Sequence, residues 1–280
     1  MEEALPLCLI GQGIASTPSR AMQEAALRAG GRRGSYDIVD VDAAGLPAVL
    51  IDLRAGRWRG ANVTTPYKFA CAQVCDELAG DASRTGAVNT ITVSADGRLL
   101  GDNTDAAGFE MALSGRMLWP VPDSRAVVFG AGGAAAAVVL ALSRVPVQRT
   151  TVVARRINAA RSLIDGLTPA AGGDLGVGLW DGDYLERLVA TADIVVNATS
   201  AGLRAMPFSP PQLQSSCTVA DVRYRPRPVD LVAASLEAGL RGCDGADMLL
   251  HQGMLSYRLW TGDDPPYPAA RRALEEALGR

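Results

Sequence analysis

Two short polar strings gather the groups with which a protein moves a proton onto or off a hydroxyl. Asn62-Val63-Thr64-Thr65-Pro66-Tyr67-Lys68 sets a lysine among amide and hydroxyl side chains, and Gly101-Asp102-Asn103-Thr104-Asp105 ends on a carboxylate. Alcohol oxidation needs a group that takes the hydroxyl proton while hydride leaves. A lysine can do so when burial and its surroundings bring its pKa towards neutrality. A nearby carboxylate pulls the other way, so Asp105 is read as orienting Lys68 and the hydroxyl, and which of the two bears the transferring proton stays open. Taken alone, Lys68 also fits a solvated first-turn helix residue after Pro66.

A third string, Gly130-Ala131-Gly132-Gly133-Ala134-Ala135, follows the short apolar run Ala126–Phe129 and opens the alanine-rich run Ala134–Leu142. That is the context of a dinucleotide site. Gly130 allows a tight turn, Gly132 lets backbone approach a pyrophosphate, and small Ala135 permits close helix packing, with the phosphate at the positive end of the helix. The next strand ends at Ala154 and leads into Arg155 and Arg156 rather than an acid that would grip a free ribose 2′-hydroxyl. Two guanidiniums suit a 2′-phosphate, which favours NADP(H) over NAD(H). The competing reading is a solvated charge pair at a helix entrance. Asn197-Ala198-Thr199-Ser200-Ala201-Gly202 and Asp221-Val222-Arg223-Tyr224-Arg225-Pro226 lie at further strand exits, where a parallel sheet presents its loops to a ligand. Close to the C-terminus, the run from Gly245 begins a helix that can return to the first part of the chain with Gln252. Its neighbour His251, the only histidine, points sideways from Gln252 and reads as a supporting residue rather than an acid or base.

The elements that must position these groups alternate from the start. Strand-like runs at Leu5–Ile10, Tyr36–Val41, Arg59–Val63 and Val88–Val93 enclose helical runs at Met22–Ala29, Ala44–Leu53 and from near Pro66. A second cycle places strands at Thr151–Ala154, Leu175–Trp180, Asp193–Asn197 and Cys217–Val222, with helices at Ala159–Leu167, Tyr184–Ala190 and Val229–Ala238. The pattern predicts an α/β fold with mostly parallel sheets, its second half a doubly wound nucleotide-binding domain. Thr104–Leu113 reads as helix and, with Trp119-Pro120-Val121-Pro122, as the hinge between halves; Pro207–Pro211 reads as a surface loop.

Composition narrows the function classes. The 280 residues suggest two domains or one large one, and 48% apolar with 20% charged residues is ordinary for a globular chain. A net charge of -3, with arginines scattered rather than run together, gives no basic stripe for nucleic acid. Apolar stretches break well before the roughly 20 residues a membrane span needs, and the first residues lack the basic start of an export signal. The five cysteines, Cys8, Cys71, Cys75, Cys217 and Cys243, are odd in number and fit reduced thiols of a cytoplasmic protein. With a single histidine and no paired cysteine ligands, no metal is expected.

Together the strings resemble the shikimate dehydrogenase family, including its quinate/shikimate branch, over nearly the whole chain. The resemblance rests on Asn62–Lys68, Gly86-Ala87-Val88-Asn89-Thr90, Gly101–Asp105 with Gly108-Phe109, Gly130–Ala135, Asn197–Gly202, Asp221–Pro226 and Met248-Leu249-Leu250-His251-Gln252-Gly253, in that order. It implies an N-terminal α/β substrate domain, residues 1–106 rejoined by 246–280, and a Rossmann-type NADP-binding domain at 107–245, facing each other across a cleft. It further implies reversible hydride transfer between NADP(H) and a ring hydroxyl of a cyclic hydroxy acid, as in 3-dehydroshikimate to shikimate, within aromatic amino acid biosynthesis. On the family pattern Lys68 and Asp105 are catalytic. Asn62, Thr64, Asn89 and Gln252 hold ring hydroxyls, Ser16 and Thr17 the carboxylate, and Tyr224 also faces substrate. Gly130, Ala131, Gly132, Gly133, Ala134, Arg155, Arg156, Thr199, Ser200, Val222 and Gly245 take the cofactor. The expected partner is a small molecule, with the protein a monomer or homodimer.

The chain departs from the family where substrate is chosen. A Ser-x-Ser-Pro or Ser-x-Thr-Pro motif usually holds the carboxylate, whereas here Gly11-Gln12-Gly13-Ile14 runs into Ala15-Ser16-Thr17-Pro18-Ser19-Arg20. The first serine position falls on Ala15 unless a shortened loop gives it to Ser16, and the family's following histidine is Gln23 or lost. One missing hydroxyl contact would cost roughly 1.5–3 kcal/mol, unless Ser19 or a bidentate Arg20 replaces it. At the adenosine end Ala154 and Arg156 stand where asparagine and threonine are common, while Arg155 matches. Two other readings remain: a methylenetetrahydrofolate dehydrogenase-like enzyme, against which the Asn103-Thr104-Asp105 string and Met248–Gln252 speak, and a non-catalytic NADP- or metabolite-sensing protein, which would require a broken site.

Overall fold

The computed structural model describes residues 4–167 and 174–279, which divide into two compact units. The chain passes from the first to the second between Thr104 and Asp105 and returns between Met248 and Leu249.

In the first unit β1 (Leu5–Gly11), α1 (Ser19–Ala29), β2 (Gly34–Asp40), α2 (Leu46–Arg54), β3 (Gly60–Val63), α3 (Lys68–Val74), β4 (Glu77–Leu78), α4 (Ala82–Thr85), β5 (Thr90–Val93) and β6 (Leu99–Asp102) follow one another. Their strands form one sheet in the order β2-β1-β3-β5-β6-β4. The sheet is mostly parallel, as expected, with β1 parallel to β2 and β3 and β4 parallel to β6, while β5 runs antiparallel to both β3 and β6. The β5–β6 pair is a hairpin because its link, Ser94-Ala95-Asp96-Gly97-Arg98, is short and its Gly97 takes a left-handed φ of 79°. A parallel return would need a crossover of about a dozen residues or more. Leu7, Cys8, Leu9 and Ile10 of β1 are all buried, as in a strand covered on both faces.

The second unit contains α5 (Asp105–Ser114), β7 (Arg125–Phe129), α6 (Gly133–Leu142), β8 (Arg149–Val153), α7 (Ile157–Gly166), β9 (Asp174–Gly178), α8 (Asp183–Ala190), β10 (Ile194–Asn197), β11 (Thr218–Asp221), α9 (Asp230–Glu237) and β12 (Arg241–Cys243). Every strand pair is parallel, in the order β12-β11-β10-β7-β8-β9. This is the doubly wound order, with its reversal between β7 and β10, the place where such sheets bind ligands beyond their carboxyl ends. Helix α6 is apolar on all sides and buried from Ala135 to Leu142, as its composition demands.

Two expectations change. The Trp119–Pro122 segment lies inside the second unit, where Trp119 packs edge-on against Phe109 of α5 at 6.1 Å. The Pro207–Pro211 segment is not simply a surface loop, because Phe208 and Pro210 are buried and Phe208 stacks on Phe129 at 5.1 Å. Helix α10 (Ala246–Thr261) starts in the second unit and carries the chain back to the first, where α11 (Tyr267–Ala277) packs on α1.

Candidate active site

In the first unit, Lys68 opens α3 directly after the loop that leaves β3. Two bonds fix this turn: the Tyr67 hydroxyl donates to the Val41 carbonyl at 2.8 Å, and the Val88 N–H donates to the Lys68 carbonyl at 2.9 Å. The second bond sets Lys68 beside the residue that precedes Asn89. Asn89 is 2% exposed and anchors a polar cluster. Its Nδ2 donates to Thr104 Oγ1 at 2.9 Å and to Gln252 Oε1 at 3.2 Å, while its Oδ1 accepts from the Thr104 N–H at 2.8 Å and from Thr90 Oγ1 at 2.8 Å. Thr104 in turn donates to the Gln252 carbonyl at 3.0 Å. Asn89, Thr104 and Gln252, far apart in sequence, thus meet. Asp105 is the next residue along the chain, buried at the start of α5 in the second unit.

Asn62 enters the same cluster. Its Oδ1 accepts from the Tyr36 hydroxyl at 2.7 Å, and its Nδ2 donates to Ser256 Oγ at 2.9 Å and the Asn89 carbonyl at 3.1 Å. Asn62 therefore braces Asn89. Thr90 and Ser256, whose hydroxyls lie 2.7 Å apart, complete this buried layer beneath Asn89 and Gln252. Neither stood out in sequence, because a lone buried hydroxyl carries no spacing signal.

The loop at Gly11–Ser19 lies against Thr64. A β-carbon on Gly11 would sit 2.6 Å from the Thr64 methyl, and the Gln12 N–H donates to the Thr65 carbonyl at 3.2 Å. Asp40 shapes the turn by accepting from the N–H groups of Gly13 and Ile14 at 2.7 and 3.0 Å. Within the loop it is Thr17 and Ser19 whose hydroxyls pair, at 2.9 Å; Ser19 is buried and Ser16 exposed. Arg20 donates from Nε to the Tyr36 carbonyl at 3.0 Å on the edge strand β2, which ties it to that strand. Gln23, fully buried, donates to the Gly253 carbonyl at 2.9 Å and links α1 to the turn of α10 that holds Gln252.

The second unit offers a site built from backbone. Gly130 has φ 121°, and a β-carbon there would lie 2.8 Å from the Ala198 carbonyl, so only glycine fits the crossing of the β7 and β10 loops. Nothing lies within 4 Å of the corresponding position on Gly132, and no side chain caps α6, so the first turn at Gly133 and Ala134 offers its N–H groups outward past Ala131. These features fit a pyrophosphate. In the facing loop, Asn197 Oδ1 accepts from Thr199 N and Oγ1 at 3.0 and 2.7 Å, which leaves exposed Ser200 at the tip. Gly245 lets the exit of β12 pack on that of β11, since a β-carbon would strike the Val222 carbonyl. Tyr224 follows, half-buried.

Arg155 and Arg156 are both exposed, yet differ. Arg155 lies over the Trp180 ring with Cζ 5.3 Å from its centroid, while Arg156 caps α7 with its backbone. Close by Val222, Arg223 joins buried Asp221 at 2.6 Å to Asp230 at 2.7 Å. Burial alone would lower the Arg223 pKa, but these two carboxylates raise it. Burial pushes the Cys71 and Cys75 thiols up to about 12 and about 11, which keeps both protonated and unreactive at neutral pH. Among the described residues no group of three or more His, Cys, Asp or Glu could hold a metal ion, and no helix is long and apolar enough to cross a membrane.

Comparison with known proteins bears on these sites. Residues 9–91 match the family model described as the shikimate dehydrogenase substrate binding domain, and residues 245–275 the one described as the shikimate 5′-dehydrogenase C-terminal domain. A shikimate dehydrogenase (NADP(+)) of Rubrobacter xylanophilus is 40% identical over 95% of this chain and 94% of its own. The structure of shikimate 5-dehydrogenase from Thermus thermophilus in complex with NADP(H) and shikimate superposes with a TM-score of 0.84 at 33% identity, covering 98% of this chain and 100% of that one. Quinate dehydrogenase from Corynebacterium glutamicum in complex with NAD gives 0.86 at 32% identity, again covering 98% and 100%.

Proposed function

The chain belongs to the shikimate dehydrogenase family, and from that premise we propose that it reduces 3-dehydroshikimate with NADPH to shikimate and NADP+, reversibly. The observation that carries this reading is the meeting of Asn89, Thr104 and Gln252 beside the pinned turn of Lys68. In the direction of oxidation, Lys68 takes the proton of the ring hydroxyl at Nζ, with Asp105 orienting it; in reduction the same proton returns to the carbonyl oxygen. Bound NADP(H) supplies or accepts the hydride.

Asn89 and Gln252 hold neighbouring ring hydroxyls with amide groups whose orientation is set by Thr104, and Thr64 adds a hydroxyl beside them. The 3.2 Å bond between the two amides is the one a ring hydroxyl replaces. Asn62 supports that array from below. The Thr17 and Ser19 hydroxyls, paired at 2.9 Å, are the best supported anchor for the ring carboxylate. Gly130–Ala134 hold the pyrophosphate at the start of α6, Arg155 the 2′-phosphate, and the loops at Thr199, Ser200, Val222 and Gly245 the remaining dinucleotide, with Tyr224 at its substrate end. The likeness to a quinate dehydrogenase supports a second reading in which quinate is the substrate. The five reduced thiols support a cytoplasmic setting, and the protein acts as a monomer or homodimer.

A steady-state screen of shikimate, quinate and related cyclohexane carboxylates with NADP+ and NAD+ tests the proposal. Turnover of shikimate with NADP+ is expected. A preference for quinate moves the assignment to the second reading, and no turnover alongside measurable NADP+ binding overturns both.

A further inference from the structure

We propose that Trp180 is a specificity-determining positioning residue: its indole face holds Arg155 so that the guanidinium edge reads the 2′-phosphate of the cofactor. The inference rests on the NADP assignment. It starts from strand register. In the parallel pair β8 and β9, Val153 lies opposite Gly178, so Arg155 and Trp180, each two residues further on, leave the same edge of the sheet side by side. There the Arg155 Cζ sits 5.3 Å from the indole centroid.

The kind of partner matters. A carboxylate would occupy the guanidinium's N–H donors, which lie in its plane, and no carboxylate lies within ion-pair distance of Arg155 among the described residues. An aromatic face attracts the cation through the ring quadrupole and leaves that plane open for phosphate oxygens. An exposed arginine without such support must be ordered when the phosphate binds, and the stacked one is ordered beforehand. Trp180 is itself fixed. It meets Phe129 edge-on at 5.5 Å and 85°, and Phe129 stacks on buried Phe208 at 5.1 Å. Phe129 is the last residue of β7, directly before Gly130. One aromatic row therefore ties the root of the pyrophosphate loop to the arginine that meets the other phosphate. NAD has no phosphate at this position, so Trp180 should set the preference between the two cofactors rather than the affinity for both.

Calorimetric dissociation constants for NADP+ and NAD+ test this without turnover. Trp180→Leu keeps an apolar side chain against Phe129 and removes the π face. It should weaken NADP+ by about threefold to tenfold and leave NAD+ near the parent value, while Trp180→Phe retains most of the preference. In an Arg155→Ala background, Trp180→Leu should leave the ratio unchanged. Equal weakening of both cofactors would make Trp180 a packing residue and overturn the inference, as would an unchanged ratio in Trp180→Leu. A parent protein that binds both cofactors equally overturns the NADP assignment together with this inference, and leaves the proton chemistry at Lys68 to be judged by the substrate screen.

Discussion

The two units carry their sites in different materials. In the second, the ligand-facing surface is main chain: glycines at Gly130 and Gly245 whose β-carbons would strike carbonyls, and a helix end that no side chain caps. In the first it is side chain, Asn89 and Gln252, held by Tyr36, Asn62, Thr90, Thr104 and Ser256 through bonds across separate chain segments. A phosphate needs only N–H groups and positive charge, which a strand-turn-helix supplies by itself. A polyol ring needs several oriented donors and acceptors, and each must be held in one rotamer by another group.

If that division is right, substitutions in one unit should move one ligand and spare the other. The largest effect is expected for Lys68→Ala, which should lower kcat by about 10²–10⁴-fold with NADP+ affinity near the parent value in calorimetry. Retention of most of the activity would remove Lys68 from the chemistry. Next comes Gly130→Ala, which forces a β-carbon into the Ala198 carbonyl at a left-handed φ. It should cost about 1–3 kcal/mol and weaken NADP+ by roughly tenfold or more, with substrate KM little changed.

Ser256→Ala probes the side-chain layer. It deprives Asn62 Nδ2 of an acceptor and Thr90 of one of its partners, so stability should fall by about 1–3 kcal/mol and the KM for substrate rise about threefold to tenfold. A matching change in the NADP+ dissociation constant would break the comparison. The smallest effect concerns Asp102, at the end of β6, whose carboxyl is pushed up chiefly by burial. A raised folded-state pKa means that the folded form prefers the protonated acid, so stability falls as pH rises through the unfolded and then the folded value. Asp102→Asn should therefore raise Tm at about pH 7 in a thermal melt, and the difference should vanish near pH 3, below the ordinary carboxylate pKa.

How much was legible follows the same line. The alternating elements, the Gly130 loop and the arginines after β8 could be read because each depends on neighbours in sequence. The hairpin strand β6 carries no such signal, being a short polar-ended run whose pairing partner decides it. The family pattern points to Ser16 and Thr17 for the carboxylate, and the structure adds that the Thr17 hydroxyl pairs with that of Ser19, in a turn that Asp40 holds at Gly13 and Ile14. Asn62 reads on the family pattern as a residue that holds a ring hydroxyl, and the structure adds that its Nδ2 donates to Ser256 and to the Asn89 carbonyl.

The sequence by itself determined the α/β class and marked the Gly130 loop and the pair Lys68 and Asp105 for test, the first two because local periodicity and motif spacing encode them and the pair because the family resemblance implies it. Only the tertiary structure decided which groups the amides of Asn62 and Asn89 bond, and that Trp180 lies under Arg155. Hydrogen-bond saturation and ring stacking depend on groups that the chain brings together from positions as far apart as Tyr36 and Ser256, and no local pattern records what a side chain will meet.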